Sequence, residues 1–349
     1  MIRVFTDIDD IKKEWDSVNL KDFIKINFIQ AFYKGHKNLK HLFIVDKCLR
    51  MYAHIFTLKF SRTNNYLYSR FIPLFLSLFS FRILYLTNTF ITNIPLYYST
   101  DIISLRSILK SIKHHYSIIV IPDFVFKNMK DKEGSYKKVE VEEDMVLALQ
   151  ASWINFDDYL KDLRSKYRKK INLIIKQTNN LDIRILNDKD LASYSVLMQS
   201  MFEQIIGDTK FKGPLFNIET FSFLGNDLVT VYGYFLDDRL VAFSSEIRQD
   251  NILYSYYVGF DKELNTSIPL YGRVLIEHIK NAITKGVNSI VLGRTANEFK
   301  SNFGAKPVKS FVYVRVKSRL LDFIIKPVFN KLTVKKWRLR RPFKSNFYK

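Results

Sequence analysis

Among 349 residues there is one cysteine, Cys48. A single thiol excludes a disulfide framework and any site built from several thiolates, and it suits a reducing compartment. Glycine (11) and proline (8) are scarce, which excludes collagen-like and low-complexity classes. Acidic residues are in deficit: 34 Asp and Glu stand against 55 Lys and Arg, a formal net charge of +21. That excess asks for an anionic partner: a phosphate-bearing cofactor, nucleic acid or an acidic membrane surface. Long hydrophobic runs are also missing. The longest, residues 71–81, holds 11 residues between Arg70 and Arg82, against the roughly 20 that a membrane-spanning helix needs. The amino terminus is charged from Arg3 onward and lacks an apolar signal core. The expectation is a cytoplasmic protein, able to sit peripherally at the inner face of the membrane.

Motif absences narrow the chemistry. There is no Gly-x-Ser-x-Gly, no P-loop and no dinucleotide fingerprint. That weakens hydrolase, ATPase and dehydrogenase readings. The six histidines, at 36, 41, 54, 114, 115 and 278, show no zinc-ligand spacing, so no metal site is expected.

What is present is ample apolar material, 47% hydrophobic and 15% aromatic, enough for real cores. Residues 228–305 read as one connected unit. LVTVYGYFL and RLVAFSSEIR are strands joined by a turn at Asp237-Asp238, and a turn at Asp250-Asn251 leads into the strand ILYSYYVGF. The loop DKELNTSIPLYG follows. A helix over 270–283 carries an apolar stripe of Leu270, Val274, Leu275, Ile279 and Ala282 and ends at Lys285-Gly286. The short strand NSIVLG then leads into LGRTANEFKSNFGA. A weaker copy of this order occupies 41–123: strand HLFIVD, turn Lys47-Cys48, strands RMYAHIFTLKF and RILYLTNTF, loop NIPLYYST, a helix over 102–115, and strand YSIIVIPDF. The echo of NIPLYYS in SIPLYGR, each ahead of a helix, is the most literal part of the repeat.

Between the copies the pattern predicts a basic helix over 156–177, a second helix over 188–206 ending at Gly207, and a third over 216–224. The expected division is an N-terminal domain 1–150, a C-terminal domain 151–317 and a basic amphipathic tail 318–349. From Lys306 to Lys349 there are 14 Lys and Arg and one acidic residue, Asp322. Cations interleaved with Phe323, Ile324, Ile325, Val328, Phe329 and Trp337 suit an anionic lipid surface, and would suit RNA as well.

The basic helix LRSKYRKKI, the strands YFLDDRLVAFSSEIR and YSYYVGFD, the helix after SIPLYGR and the segment LGRTANEFKSNFGAKP together resemble the GNAT-type acyltransferase domain of the BioF2-like and CelD-like bacterial proteins. The tandem arrangement resembles the FemAB-like peptidoglycan aminoacyltransferases. The resemblance covers the C-terminal half, and the N-terminal half matches by pattern alone. It implies an α+β, tandem GNAT-like fold: two mixed twisted sheets with flanking helices, the C-terminal one catalytic and the other supplying scaffold and part of the acceptor groove. It also implies acyl transfer from acetyl-CoA or another acyl-CoA to a small-molecule or lipid-linked amine, such as an amino sugar or cell-envelope precursor. The chain departs from the usual Gln/Arg-x-x-Gly-x-Gly/Ala loop, having NTSIPLYGR with the single Gly272. An aminoacyl-tRNA or acyl carrier protein donor therefore stays open, as does a non-catalytic module that binds membrane or RNA through its tail.

Within that reading, the start of the helix after SIPLYGR is expected to hold a phosphate through Ser267, Leu270, Tyr271, Gly272 and Arg273, since amides at a helix start favour anions. Ser267 is expected to cap this helix and Pro269 to begin it. Arg294, Thr295 and Lys300 follow a strand end, where ligands of open sheets gather. Amine acylation needs a base, and the candidates are Glu246, whose pKa burial should raise, and Asp261. Tyr256 and Tyr257 should point to opposite faces of their strand, and Tyr257 is the candidate donor to a leaving thiolate. The cluster KYRKK at 166–170 is expected to be mainly a solvated helix face.

Overall fold

The computed structural model describes residues 1–59, 80–91, 93–207, 213–323, 325 and 336–344. Most of the apolar run 71–81 lies outside the described residues. The strand order inferred from pattern for each copy is formed within its own unit.

The first unit takes in residues 1–141, 209–223 and 310–334. Its strands are β1 (Arg3–Phe5), β2 (Lys40–Asp46), β3 (Leu49–Lys59), β4 (Ser80–Tyr85), β5 (Tyr97–Ser99), β6 (Ile103–Ser104), β7 (Ile118–Pro122) and β8 (Met129–Lys130), with helices α1 (Lys12–Trp15), α2 (Ile26–Gly35), α3 (Leu105–Ser111) and α4 (Asp123–Phe126). The second unit takes in residues 142–208, 224–309 and 335–349. The strand β9 (Lys137–Ala148) leads into it. It contains α5 (Phe156–Asp162), α6 (Ser165–Gln177), β10 (Asp182–Ile185), α7 (Asp188–Ile206), β11 (Thr230–Leu236), β12 (Arg239–Gln249), β13 (Ile252–Phe260), α9 (Leu270–Thr284), β14 (Ser289–Val291) and α10 (Asn297–Ser301). A short helix, α8 (Thr220–Leu224), precedes β11, and β15 (Lys306–Val316) follows α10.

The two units match strand for strand. In the first, β1, β2, β3 and β4 are successively antiparallel, β7 joins β4 in parallel, and β15 closes antiparallel to β7. In the second, β10, β11, β12 and β13 are successively antiparallel, β14 joins β13 in parallel, and β9 closes antiparallel to β14. The final strand of each unit comes from a distant part of the chain, so neither unit is a contiguous stretch.

Local chemistry explains the elements. Asp237 and Asp238 both take positive φ, 48° and 62°, the backbone of a two-residue turn whose twist suits a hairpin. Asn187 opens α7 with a reciprocal capping box to Asp190. α7 and α9 both pack on β12 and β13. Val258 and Phe260 meet Leu270 and Val274 of α9, while Tyr257 and Gly259 meet Phe202 of α7. Covered by helices on opposite faces, β12 is buried from Leu240 to Ile247, which is why RLVAFSSEI reads as a run and not an alternation.

Two sequence expectations are corrected. The helix expected over 156–177 is broken at Leu163 and Arg164. Leu163 forms a β-bridge with Phe343, and the Arg164 amide donates to the Pro342 carbonyl at 2.8 Å. The same contacts alter the reading of the tail. Phe343 is 1% exposed and packs with Trp153, Tyr159 and Leu163, with Trp337 against the same core, so residues 336–344 are a structural part of the second unit. Ile325 is buried in the first unit with Leu58, Ile118 and Val314, whereas Phe323 is exposed. Ile324 (its side chain), Val328 and Phe329 lie outside the described residues. Among the described residues no helix is long and apolar enough to cross a membrane.

Candidate acyl-transfer site

Within the second unit, the parallel pairing of β13 and β14 is three rungs long: Ile252, Leu253 and Tyr254 against Ser289, Ile290 and Val291. β13 then continues to Phe260, while the chain after Val291 turns away through residues 292–296. Two parallel strands that part leave main-chain groups facing an opening, where a ligand can pair with them.

One rim of this opening is the turn after β14. Gly293, Thr295 and Ala296 all take positive φ, 72°, 64° and 47°. For a β-branched threonine that is a strained conformation, held only when its surroundings over-determine it. Lys300 supplies the restraint. Its ammonium donates to the carbonyls of Gly293 at 3.1 Å and Arg294 at 2.6 Å, and it is 3% exposed. Burial brings this lysine down to about 7, against the opposing pull of Asp144 and Glu142. Arg294 lies 3.5 Å from the Asp144 carboxylate. The expected trio of Arg294, Thr295 and Lys300 thus meets at the rim, with Lys300 directed inward.

On the facing strand, Ser255 is the first residue beyond the last rung. Its Oγ lies 3.1 Å from His278 Nε2, and His278 Nδ1 lies 2.8 Å from Glu246 Oε1. A carboxylate only accepts, so Nδ1 carries the proton and Nε2 accepts from the serine. Glu246 also accepts from Asn281 at 2.8 Å and Lys285 at 2.7 Å. It is 2% exposed. Burial works to raise its pKa, as expected, but the bonds and charges of His278 and Lys285 outweigh it and hold the carboxyl below its ordinary range. Sequence reasoning reached Glu246 and missed Ser255 and His278. The available signal was a histidine set into the apolar stripe Leu275, Ile276, Ile279 of α9.

Tyr256 and Tyr257 do not split across the sheet. Ser244 pairs with Val258 and Glu246 with Ser255, so two tyrosines oppose the single Ser245 in a β-bulge. Their rings are 4.4 Å apart. Burial pushes the Tyr257 phenol well up, so it stays protonated. Asp261 sits at the end of β13, where one oxygen accepts from the Leu264 amide at 3.0 Å and the other pairs with Arg239 at 2.8 Å.

The residues expected around a phosphate diverge. Pro269 is the cap position of α9 and Ser267 does not cap the helix, since its hydroxyl donates to the Leu264 carbonyl. The side-chain acceptor at this end is Asn265, which takes the Tyr271 amide at 2.9 Å. Leu270 is in the core, and Tyr271 stacks on Phe299. A Cβ on Gly272 would lie 2.9 Å from Ile174 Cδ1, so this glycine lets α6 approach α9. Arg273 bonds Glu277 at 2.7 Å and the Thr178 carbonyl at 2.8 Å. It lines a cavity of about 430 Å³ with Arg184, Tyr232, Glu277 and Asn281. Asn281 in its wall also donates to Glu246 at 2.8 Å. The cluster at 166–170 lies on α6, with Lys170 over the Phe299 ring at 5.1 Å. Among the described residues no group of three His, Cys, Asp or Glu is placed to hold a metal ion.

Comparison with known proteins follows the geometry. Residues 162–301 match the model of the acetyltransferase (GNAT) domain. No curated protein sequence matches the chain. Among solved structures, the C-terminal domain of a protein assigned as a lysylphosphatidylglycerol synthetase, from Agrobacterium fabrum, aligns with TM-score 0.53 at 10% identity, covering 93% of this chain and 96% of that one. L-PGS from Bacillus licheniformis aligns with TM-score 0.50 at 10% identity, covering 85% and 90%. A conserved protein of unknown function from Bacteroides thetaiotaomicron aligns with TM-score 0.51 at 9% identity, covering 91% and 100%. These likenesses concern the fold, and they extend over both units. Residues 162–301 form a GNAT-type domain, and the chain that carries it is an acyltransferase.

Proposed function

We propose that the protein is an N-acyltransferase that takes an acyl group from a coenzyme A thioester and delivers it to an amine. The acceptor class we assign is an amino sugar or a lipid-linked cell-envelope precursor. The reading rests on the parting of β13 from β14 directly beside Ser255, with a braced turn on the opposite rim. A thioester carbonyl entering there lies against the main chain of β13 beyond its last rung with β14. The amine loses its proton toward His278 and Glu246, the carboxylate already ionised and bonded to the imidazole. Tyr257, kept protonated by burial, is the donor we assign to the departing thiolate. Asp261 is the weaker candidate for base, because both its oxygens are engaged.

A second donor class is favoured by one observation. Gly272 and Arg273 are committed to Ile174, Thr178 and Glu277, so the start of α9 offers less to a pyrophosphate than the sequence implied. A carrier gripped elsewhere on this basic chain, an aminoacyl-tRNA above all, fits that arrangement. Thermal shift of the purified protein with acetyl-CoA, longer acyl-CoAs and charged tRNA separates the two. Stabilisation by an acyl-CoA, with transfer of labelled acyl to an amine, is the expected result. A shift with charged tRNA alone replaces the donor, and no response to any of them removes the transferase reading.

A further inference from the structure

Ser255, His278 and Glu246 form a chain of three side chains with a direction. The serine hydroxyl is at the outer end, half-buried, at the first position where β13 is released from β14. The imidazole is 1% exposed and sandwiched, Oγ at 3.1 Å on one ring nitrogen and a carboxylate oxygen at 2.8 Å on the other. A hydroxyl within reach of a base, the base itself oriented by a third group, is the arrangement that makes a weak nucleophile attack. The buried His41 of the first unit is held differently, between the His36 carbonyl and the Tyr52 hydroxyl, with no carboxylate on its ring.

The groups around the relay are accounted for. From α9 come Asn281 on the same carboxylate oxygen as His278 and Lys285 on the other; from β11 comes the Tyr232 phenol, which burial first and then the Glu246 charge hold protonated. These keep Glu246 fixed and anionic, so its orientation of the imidazole does not depend on substrate. They also share its charge, which tempers how strongly it stabilises an imidazolium.

We propose that Ser255 is a nucleophile that carries the acyl group between donor and acceptor, with His278 as its base and Glu246 as the group that orients His278. This deepens the N-acyltransferase reading and rests on it for the acyl donor. In the first half, Ser255 Oγ attacks the thioester carbonyl and its proton passes to His278 Nε2. The tetrahedral adduct collapses, the C–S bond breaks, and the thiolate leaves as the thiol with the proton from Nε2, which here takes the donor role that Tyr257 would have in a direct transfer. An ester on Ser255 remains. In the second half, the neutral amine attacks that ester and gives its proton to Nε2. The C–O bond breaks as the amide forms, and the proton returns to Oγ. Nothing is oxidised or reduced, and no co-reactant is needed.

The test uses the full chain and a donor that needs no carrier recognition, p-nitrophenyl acetate, followed by quench, intact mass and peptide mapping, with acetyl-CoA in parallel. One acyl group mapped to Ser255 is expected, absent in Ser255→Ala. Ser255→Cys should restore labelling, and His278→Gln should slow it by about 10²- to 10⁴-fold. Circular dichroism confirms that each variant is folded, and the mapping of the wild-type label needs no variant. Amide formation from acetyl-CoA with no acyl-serine, or with Ser255→Ala as active as wild type, overturns the proposal and leaves the transferase reading intact. Labelling of Ser255 by the phenyl ester with no response to any acyl-CoA upholds the nucleophile and removes the donor. A wild-type protein that is not labelled at Ser255 by either reagent overturns it.

Discussion

Lys300 reaches back from α10 to place its ammonium 2.6 Å from the carbonyl of Arg294, the residue just before the strained Thr295. The bond ties the turn after β14 to the helix that follows, and does so with a buried charge.

That burial makes a pH signature. The folded pKa of Lys300 falls to about 7 from 10.5, so between those values the unfolded chain binds a proton that the folded one does not. Stability then rises with pH across this window and is least below it, where the folded protein must bury the ammonium. Lys300→Met removes the titration along with both hydrogen bonds. The gap between wild type and Lys300→Met, from thermal melts in a pH series, should widen as pH goes from 7 to 10. The effect is on the order of a few kcal/mol. A constant gap would mean that the lysine does not titrate in this range.

Glu246 holds three side-chain partners, His278, Asn281 and Lys285, while almost wholly enclosed, so the variants at this position separate charge from shape. Glu246→Ala leaves Lys285 and His278 facing a void and should cost about 3–5 kcal/mol. Glu246→Gln retains the volume and one acceptor, and should cost less while reducing acyl transfer sharply. Chemical denaturation and a transfer assay run on the same preparations check both. Equal losses in the two variants would show that packing and not charge dominates the site.

Much of the second unit was legible. The turn at Asp237-Asp238, the strands on either side of it and the helix that opens at Asp188 are local signals, and each appears where the pattern placed it. Other features depend on partners far along the chain. The break in the basic helix at Leu163 is set by Phe343 and Pro342. The pairing of Ser255 with His278 depends on where a bulge falls in β13, since sliding the strand by one residue would turn the serine to the other face. Arg273 was legible as a cation and not as a residue already bonded to Thr178, because the end of α6 that supplies that carbonyl is nearly a hundred residues upstream.

In the first unit, three histidines are enclosed. His36 accepts from the Asn217 amide at 3.0 Å, His41 bonds the Tyr52 hydroxyl at 2.7 Å, and His54 meets Thr89 at 3.0 Å. Burial lowers His36 and His41 to about 4 and holds His54 well below the ordinary histidine range. Below pH 6.5 the unfolded chain takes up protons that the folded one refuses, so their contribution is full above 6.5 and is lost as pH falls toward 4. The loss is on the order of 3 kcal/mol apiece for His36 and His41. Urea melts at pH 7.5 and 5.0, followed by the fluorescence of the buried Trp15, should show the first unit weakening with acid. His41→Phe should shrink that drop, and an unchanged drop would remove His41 from the account.

Gly272 distinguishes a packing role from a phosphate role most sharply. As a packing residue, it admits Ile174, whose Cδ1 lies 2.9 Å from the place a Cβ would take. Alanine is the better helix former by about 1 kcal/mol, but at this contact crowding should reverse the sign and make Gly272→Ala destabilising by about 1–3 kcal/mol. Ile174→Val deletes the offending methyl. In that background Gly272→Ala should cost at least about 0.5 kcal/mol less, a coupling readable in a double-mutant cycle. Acyl-CoA affinity should change little in Gly272→Ala, because the α-carbon faces α6. If instead the two substitutions are additive and acyl-CoA binding collapses, then Gly272 faces the ligand and the phosphate reading of the start of α9 is restored.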